Sequence, residues 1–375
     1  MNKSKRIKYF SYYGCNDPTR KRDNSPAADS KIDYIISVLN RCGYAVDHIS
    51  NAPSACNHYI PGYVVKSENN TLRYFASFWK GNLFFNKLNN MFMRVQFLFW
   101  CLLNIKKNEQ VIVYHSLGYD ATFIWLFRLK RIRIIGEIEE IYQDVHRQTP
   151  KRSRNEYRFI DSCEKYIFPT LLLNENLNEN DKPSVVVHGI YSVEPIVNDK
   201  FKDGKIHVVY GGTLDPNKGG AAAAAAAAEF LPANFHIHIC GFGNSTQIKS
   251  IIADVASRSK ASVTFEGELK GENYKQFIQK CHIGLSTQNP DAAFNATSFP
   301  SKILVYLSNG LKVVSIRIPA IEKSAVVDCI YFYNEQTPQA IANAIVNTVG
   351  NNVDGKEKLL ELNKDFIRNL NLLIE

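Results

Sequence analysis

The sequence predicts an α/β protein of two domains, each a parallel sheet with helices on both faces. The chain has 375 residues, and 45% of them are hydrophobic, enough for two ordinary cores. Strand patterns alternate with helix patterns, which is typical of parallel sheets. This alternation pauses at residues 189–204 and then restarts. We therefore expect domains at 1–190 and 191–350, followed by a C-terminal helix over 351–375 that can pack back on the first domain.

The first half alternates short apolar strands with amphipathic helices. Its first helix has isoleucines and leucine at helical spacing, Ser30 as the expected N-cap and Gly43 as the expected stop. The expected strands cover residues 6–10, 45–50, 110–116, 131–139, 166–170 and 183–189, and the expected helices cover 30–43, 83–104 and 121–131.

The second half repeats this pattern as a second doubly wound sheet. It contains an alanine run at 221–228, which favours a helix packed closely on the sheet. The expected strands cover residues 205–212, 235–243, 262–267, 282–287 and 311–316, and the expected helices cover 221–231, 245–259, 273–281, 301–310, 339–349 and 356–375.

Composition excludes several classes of protein. There is no uncharged apolar stretch of 18 residues and no apolar run at the N-terminus, so we expect neither a membrane-spanning helix nor a signal peptide. The eight cysteines are scattered without a C-x-x-C pair, which indicates reduced thiols in a cytosolic protein without a zinc site. No G-x-G-x-x-G follows the first strand, which argues against a dinucleotide-dependent dehydrogenase.

The net charge of +9 lies entirely in the first half. Residues 1–190 hold 27 Lys and Arg against 18 Asp and Glu, whereas 191–375 hold 18 of each. A basic half can face anionic lipid, nucleic acid or an acidic substrate, or it can be an ordinary solvated surface. The basic residues are dispersed and no nucleic-acid-binding module is present, so we expect no nucleic-acid partner.

Four strand-to-helix loops of the second half carry the candidate binding residues. The first, YGGTLDPNKGG at 210–220, has glycines that let the backbone approach a ligand and a lysine that can neutralise a phosphate. The second, third and fourth occupy 238–244, 262–286 and 295–315. Each loop alone is explained equally well as a turn or a helix cap. The candidate residues are Gly211, Gly212, Thr213, Lys218, Gly241, Gly243, Glu266, Gly267, Ser298, Ser301 and Lys302.

Together the four loops are more specific than any one of them. The carboxyl ends of parallel strands share one edge of a sheet, so all four loops open there. Lys218 and Lys302 each stand at a helix start, and a diphosphate needs backbone donors and positive charge in such an arrangement. We therefore expect a diphosphate-binding site formed without a metal ion.

The order of these motifs resembles the donor-binding domain of GT-B glycosyltransferases, which have two Rossmann-like domains facing across a cleft. The large retaining family of that fold has G-R-L-x(3)-K-G in the first loop, where this chain has GTLDPNKG at 212–219. Lys218 matches the family lysine, and Thr213 replaces the arginine. The resemblance implies a nucleotide diphosphate sugar as donor substrate and no separate cofactor.

The chain departs from that family at the paired glutamates, whose positions fall on Thr297 and Val305. The sequence FPSK at 299–302 resembles a variant of bacterial surface-polysaccharide transferases in which a serine and a lysine at the helix start hold the diphosphate. The resemblance therefore gives Lys302 the charge that is lost at Thr213. It leaves retention or inversion of configuration open.

The resemblance places the acceptor in the first domain. There His115, Glu137, Glu139 and Glu140 end strands on the expected edge, and a general base for the acceptor hydroxyl would be one of them. We select His115, Glu137 and Glu140 as catalytic candidates, together with Lys302 for the departing diphosphate. Structural roles for these residues are the alternative.

A lipid-linked acceptor would lie at an anionic membrane. Lys106 and Lys107, a second basic group at 128–133 and a third at 151–154 could dock there. The apolar stretch 91–103 could insert shallowly, or it could be an ordinary core helix.

The sequence thus predicts a cytosolic, peripherally membrane-associated glycosyltransferase of bacterial surface polysaccharide synthesis (capsule, O-antigen or exopolysaccharide). Two alternatives remain. One is a nucleotide-sugar epimerase of the same fold, and the other is a catalytically degenerate, glycan-binding partner of an active transferase.

Overall fold

The computed structural model describes residues 5–14, 17, 19–23, 25–142, 149–215, 220–290, 297–351 and 353–375. The chain forms two compact units. The first comprises Met1–Pro169, Leu173–Val187 and Phe366–Glu375, and the second comprises Thr170–Leu172 and His188–Asp365. The end of the C-terminal helix is therefore part of the first unit.

The first unit is built on an eight-stranded sheet with the order β3-β4-β2-β1-β5-β6-β7-β8. All its neighbouring strands pair in parallel except β3 and β4, which form an antiparallel hairpin at one edge. The strands are β1 (Lys5–Ser11), β2 (Tyr44–Ser50), β3 (Tyr63–Lys66), β4 (Thr71–Tyr74), β5 (Gln110–Tyr114), β6 (Arg133–Glu137), β7 (Lys165–Phe168) and β8 (Ser184–Val186). The sequence pattern did not predict the hairpin, because its strands are short and mostly exposed.

The helices of this unit begin where local chemistry allows. The first helix starts at Pro26 after Ser25, and Ser30 lies inside it with its hydroxyl donating to the Pro26 carbonyl, so the prediction of Ser30 as N-cap is wrong. Proline suits a first helical position because it has no N–H to satisfy. The helices are α1 (Pro26–Arg41), α2 (Leu83–Asn104), α3 (Asp120–Lys130), α4 (Pro150–Ser162) and α5 (Leu171–Leu177).

Aromatic side chains dominate the core between this sheet and its helices. Phe10 of β1 meets Phe97 of α2 and Phe123 of α3 with ring centroids 5.8 and 5.0 Å away. All three side chains are at most 1% exposed. Burial of each contributes roughly 1.5–3 kcal/mol. This core fixes the carboxyl ends of β1 and β5.

The second unit has a six-stranded, wholly parallel sheet with the order β11-β10-β9-β12-β13-β14. Its strands are β9 (Ile206–Thr213), β10 (Phe235–Phe242), β11 (Ser262–Gly267), β12 (Ile283–Ser286), β13 (Lys312–Ile316) and β14 (Ile330–Tyr333). Its helices are α6 (Ala221–Ala226), α7 (Ser245–Arg258), α8 (Gly271–Lys280), α9 (Lys302–Ser308), α10 (Pro319–Glu322), α11 (Pro338–Asn347) and α12 (Gly355–Ile374).

The alanine run does not form one continuous α-helix. It is α-helical over Ala221–Ala226 and tightens to a 3-10 helix over Ala227–Phe230. Ala224, Ala225, Ala227 and Ala228 are fully buried. Methyl side chains let this segment approach its neighbours closely, as the sequence predicted.

The prediction of two parallel α/β sheets is confirmed. Among the described residues, no helix combines the length and the hydropathy that a membrane span requires.

Candidate functional site

The carboxyl ends of β9 and β10 lie very close together, because glycines in both strands have no side chain there. A Cβ atom on Gly241 would lie 1.9 Å from the Gly212 carbonyl oxygen, and one on Gly211 would lie 2.2 Å from the Tyr274 hydroxyl. A side chain at Gly241 would therefore force the two strand ends apart, and one at Gly211 would displace Tyr274 of α8. Gly243, which follows β10, has φ of +125°, a region that favours glycine. Gly212 and Gly241 are half-buried and Gly243 is exposed, so a ligand can reach their main-chain groups. We call Gly211, Gly212, Gly241 and Gly243 the glycine loop.

Gly220, the residue before α6, packs against Thr287 at the end of β12. A Cβ atom there would lie 1.6 Å from the Thr287 carbonyl oxygen, while the Thr287 hydroxyl donates to the Gly220 carbonyl at 2.9 Å. This contact fixes the start of α6 beside the end of β12. Lys218 lies outside the described residues, so its role as a phosphate ligand stays a prediction.

Lys302 is the central charged group of this edge. Its ammonium nitrogen lies 3.0 Å from the position that a Cβ of Gly212 would take and 4.3 Å from the centroid of the Tyr210 ring. The ring face provides a cation–π contact. Among the described residues, no carboxylate lies within ion-pair distance of this ammonium group. Burial lowers the pKa of Lys302 to about 8. The ammonium group of Lys302 therefore has no negatively charged partner among the described residues, and a bound anion could be that partner.

Three tyrosines support this lysine and the glycine loop, and the sequence analysis did not identify them. The Tyr306 hydroxyl accepts from the Gly211 N–H at 2.9 Å, and the Tyr210 hydroxyl donates to the Thr213 carbonyl at 2.9 Å. Tyr274 of α8 lies against Gly211. Aromatic residues in strands and helices are ordinarily core residues, so nothing in their spacing indicates this supporting role.

The remaining predicted ligands of the second unit are arranged differently. The Thr213 hydroxyl accepts from the Asp215 N–H at 3.2 Å. Ser301 is exposed immediately before α9, and Ser298 is half-buried. Gly267 has φ of +79° at the end of β11. Gly241 and Lys302 thus meet at the same glycine loop, whereas a binding role for these four residues stays a prediction.

Glu266 is engaged away from a ligand. Its carboxylate accepts from Nδ1 of His238 at 2.8 Å and from the Thr264 hydroxyl. These hydrogen bonds lower the pKa of Glu266, led by the bond from His238. Glu266, which the sequence predicted to bind the nucleotide, is therefore hydrogen-bonded within a histidine cluster.

The two positions that lack the family glutamates have no carboxylate to offer. Thr297 is buried, and its carbonyl accepts from the Thr170 hydroxyl at 2.8 Å. Val305 lies within α9 and is half-buried. Among the described residues that were predicted as ligands at this edge, the positive charge is that of Lys302.

In the first unit, Glu137 ends β6 and is completely buried. The Tyr9 hydroxyl donates to one of its carboxyl oxygens. Burial, with a smaller contribution from the negative charge of Glu139, raises the pKa of Glu137 to about 8. Glu139 itself pairs with Lys31 at 2.6 Å. Glu137 is therefore largely protonated at neutral pH, and within the described residues its Oε1 atom has no hydrogen-bond partner.

His115 lies beside Glu137, because β5 and β6 are paired and the His115 N–H donates to the Glu137 carbonyl at 2.8 Å. Its Nε2 is 3.4 Å from Oδ1 of Asp120, and both side chains are buried. Within the described residues, the ring nitrogens of His115 and the carboxylate oxygens of Asp120 have no hydrogen-bond partner. Glu140 is half-buried and lies in the segment that follows β6, three residues after Glu137.

The second unit matches a known family. Residues 205–351 match the protein-family model described as glycosyl transferases group 1. This range begins just before β9 and ends after α11, so it contains the glycine loop and Lys302. No curated protein sequence matches the chain.

Solved structures resemble the whole chain. A UDP-forming α,α-trehalose-phosphate synthase from Burkholderia xenovorans has a TM-score of 0.65 and 10% identity, with 100% of both chains covered. An E. coli structure described as trehalose-6-phosphate bound with UDP-2-fluoro glucose has a TM-score of 0.64 and 12% identity, covering 98% of this chain and 99% of that one. The catalytic domain of starch synthase IV from Arabidopsis thaliana, bound to ADP and acarbose, has a TM-score of 0.60 and 10% identity, covering 97% and 98%.

At such low identities the structural likeness shows the fold, while the family model identifies the chemistry of the second unit. The chain therefore has the GT-B fold over its whole length, and its residues 205–351 match the glycosyl transferases group 1 family of domains.

Proposed function

We propose that the protein transfers a sugar from a nucleoside diphosphate sugar to a lipid-linked glycan acceptor, in the synthesis of a bacterial surface polysaccharide. The observation that carries the donor half of this proposal is the ammonium group of Lys302. It lies against the Gly212 backbone without a carboxylate partner in the described part of the chain. The likeness to structures bound to UDP-2-fluoro glucose and to ADP supports the same donor class.

The chemistry of glycosyl transfer explains why such a group is needed. The acceptor hydroxyl oxygen forms a bond to the anomeric carbon, and the bond from that carbon to the diphosphate breaks. Negative charge then develops on the departing diphosphate, and a cation already in place stabilises it. Lys302 supplies that charge, and the main-chain groups of the glycine loop supply hydrogen bonds.

On the acceptor side, the pair of His115 and Asp120 is our candidate for removing the proton of the acceptor hydroxyl. The imidazole of His115 would take the proton of the attacking hydroxyl, and the carboxylate of Asp120 would stabilise the imidazolium that forms. Glu137 is a weaker candidate because the Tyr9 hydroxyl already donates to its carboxyl group.

Calorimetric titration with UDP, GDP, ADP and CDP tests the donor site. We expect one nucleotide to bind, and Lys302→Gln to weaken its affinity tenfold or more, which is 1.4 kcal/mol or above. Lys312→Gln is the matched control, because Lys312 begins β13 and its ammonium donates to the Thr348 carbonyl at 2.8 Å. The control should bind like the wild type.

Two results would contradict the donor site: binding of no nucleotide, or equal weakening by both lysine substitutions. Sugar turnover separates the alternatives. Interconversion of the nucleotide sugar without an added acceptor would identify an epimerase, and nucleotide binding without any turnover would identify a degenerate partner subunit.

The surface of α2 supports a membrane-bound acceptor. Met93, Phe97 and Cys101 of this helix are buried, so the expectation of a core helix describes one of its faces. The opposite face exposes apolar side chains at spacings of three or four residues. These are Phe84 (77% exposed), Leu88 (44%), Met91 (59%), Val95 (61%), Phe99 (63%) and Leu103 (70%).

Basic residues accompany this apolar face. Lys87, Arg94, Lys106 and Lys107 are exposed on α2 and directly after it. A helix with one face apolar and cations beside it suits the interface of an anionic bilayer. Lys130 does not belong to this set, because its ammonium donates to carbonyls at the end of α2, including that of Leu102 at 2.5 Å.

Co-sedimentation with vesicles of phosphatidylcholine, with and without phosphatidylglycerol, tests the membrane proposal. We expect binding to the anionic vesicles and a loss of at least tenfold in Phe99→Gln. The matched control is Phe242→Gln, since Phe242 of the second unit is 58% exposed. Equal binding by both variants, or no binding by the wild type, would contradict the proposal.

A further inference from the structure

Three histidines lie together on one face of the second sheet, in the amino-terminal half of its central strands. His207 of β9 and His236 of β10 are cross-strand partners, and His238 is two residues further along β10, on the same face. The ring centroids of His236 and His238 are 4.0 Å apart, and those of His207 and His238 are 5.1 Å apart. This cluster has no part in the donor site described above.

Each of two rings is held by a carboxylate. Nε2 of His207 lies 2.9 Å from Oδ1 of Asp203, and Nδ1 of His238 lies 2.8 Å from Oε1 of Glu266. The other nitrogens of these rings, Nδ1 of His207 and Nε2 of His238, face each other at 2.8 Å. The two imidazoles therefore form a chain with a carboxylate at each end.

The two facing nitrogens lie where one positive ion can be shared. A ring that donates its N–H to its carboxylate turns the lone pair of its other nitrogen toward the neighbouring ring. When both rings donate in this way, two lone pairs face each other at 2.8 Å. A cation between them removes that repulsion.

We propose that His207, His236 and His238 bind a divalent transition metal ion, with Zn²⁺ as the expected class. One ring nitrogen from each residue belongs to a set of atoms that all lie within 4.8 Å of one another. Tetrahedral zinc with bonds of about 2.0–2.1 Å needs nitrogen atoms about 3.4 Å apart. The facing pair must separate by about half an ångström and His236 must approach, which small ring rotations achieve.

The surroundings fit a metal site. A ligating histidine ordinarily donates its second ring N–H to a carboxylate, which fixes the tautomer and makes the ring more basic. Asp203 and Glu266 already do this for two of the three rings. Neutral imidazoles suit Zn²⁺, Cu²⁺ and Ni²⁺ better than Mg²⁺ or Ca²⁺. The half-buried His236 leaves one side of the set open to entry from solvent.

Aromatic rings close the other sides. Phe201 stacks on His207 with centroids 4.2 Å apart, and Phe277 of α8 meets His238 edge-on at 5.3 Å. A bound ion would tie the segment before β9, which carries Phe201 and Asp203, to the sheet. The expected effect of the metal is therefore stabilisation of this unit.

Zinc titration of the full chain, after treatment with a chelator and desalting, tests the site. We expect one Zn²⁺ per chain by calorimetry, and Co²⁺ should give the absorption of a tetrahedral nitrogen site without thiolate charge-transfer bands. This spectrum separates the site from the free cysteines. His236→Gln should weaken binding at least tenfold. Glu266→Gln, which keeps all three ligands, should weaken it by about ten- to a hundredfold.

His58→Gln is the matched control, since His58 is exposed in the first unit and its ring bonds the Thr19 carbonyl. It should bind zinc like the wild type. The proposal is overturned if wild-type protein shows no saturable binding of one ion, if His236→Gln binds unchanged, or if Co²⁺ gives thiolate bands. A cluster that shares a proton in place of a metal would give the first of these results.

Discussion

Each unit holds, at the carboxyl edge of its sheet, an ionisable group whose pKa is strongly shifted by burial, and the two groups have opposite charge types. Glu137 in the first unit and Lys302 in the second both have pKa values near 8. Burial raises the pKa of the carboxyl group and lowers that of the ammonium, since it disfavours the charged form of each. Near neutral pH, Glu137 at the first edge is therefore mostly neutral. Lys302 at the second edge is mostly charged, but it loses its proton more easily than an exposed lysine does.

The partners of these groups explain the difference. Glu137 has the Tyr9 hydroxyl as a hydrogen-bond donor, and Lys31 is already paired with Glu139. Lys302 has the face of Tyr210 and, among the described residues, no carboxylate. The neutral carboxyl group of Glu137 needs no counter-ion. The ammonium group of Lys302, in contrast, is stabilised by an anion bound beside it. The comparison indicates that the second edge is adapted to bind an anion and that Glu137 is not a ligand for a cation.

Substitution of Glu137 by glutamine should give the largest stability effect in this comparison. Below about pH 4.5 the carboxyl group is protonated in both the folded and the unfolded chain. As the pH rises to about 8, the unfolded chain loses this proton and the folded chain keeps it, so the wild type loses stability. We expect Glu137→Gln to gain about 3–4 kcal/mol relative to the wild type between pH 5 and pH 8.

Urea unfolding at a series of pH values measures this difference, with Glu109→Gln as a control on a half-buried carboxylate of the same unit that pairs with Lys8. The control should show no such gain. A difference between Glu137→Gln and wild type that stays constant with pH would mean that Glu137 is ionised in the folded protein.

Nucleotide affinity should respond to the titration of Lys302. Its pKa of about 8 in the free protein means that the group is charged below this pH and loses its proton above it. A diphosphate binds the charged form, so affinity should fall as the pH rises from 7.5 to 9.5, by about tenfold or 1.4 kcal/mol. The diphosphate itself is fully ionised over this range.

Calorimetry in buffers of different ionisation enthalpy checks this prediction, because binding above pH 8 must take up a proton. Lys302→Gln should show neither the decline nor the proton uptake. A pH-independent affinity in the wild type would show that another group carries the charge.

The smallest effect should come from Glu139→Gln. Its negative charge contributes to the raised pKa of Glu137, after burial. Without it, Lys31 is unpaired and further favours ionisation of Glu137. The midpoint of the pH-dependent stability loss should therefore move to lower pH, and we expect a change of less than 1 kcal/mol at pH 7. The same series of unfolding curves measures it. A midpoint that moves upward would contradict this electrostatic account.

The sequence by itself determined the architecture of this protein. Apolar runs, many of them followed by glycine, predicted eleven of the fourteen strands that the described residues contain, with ends that agree within a few residues. Strand and helix periodicities are local, and a parallel sheet requires the helices between its strands. The glycine loop and Lys302 were identified in the same way, since a ligand site in such a sheet lies after its strands. The short strands β3, β4 and β14 and helices α4 and α5 carry too little periodicity to be recognised.

The tertiary structure alone decided which side chains meet. Periodicity showed that His236 and His238 share a face of one strand, but only the pairing of β9 with β10 places His207 beside them. The same pairing engages Glu266 with His238, although its position after a strand predicted a nucleotide ligand. The ring of Tyr210 meets Lys302, and the Tyr306 hydroxyl meets the Gly211 N–H, through contacts between residues far apart in the chain. Local sequence fixes the period and direction of an element, whereas burial, pKa and partners depend on the register between elements.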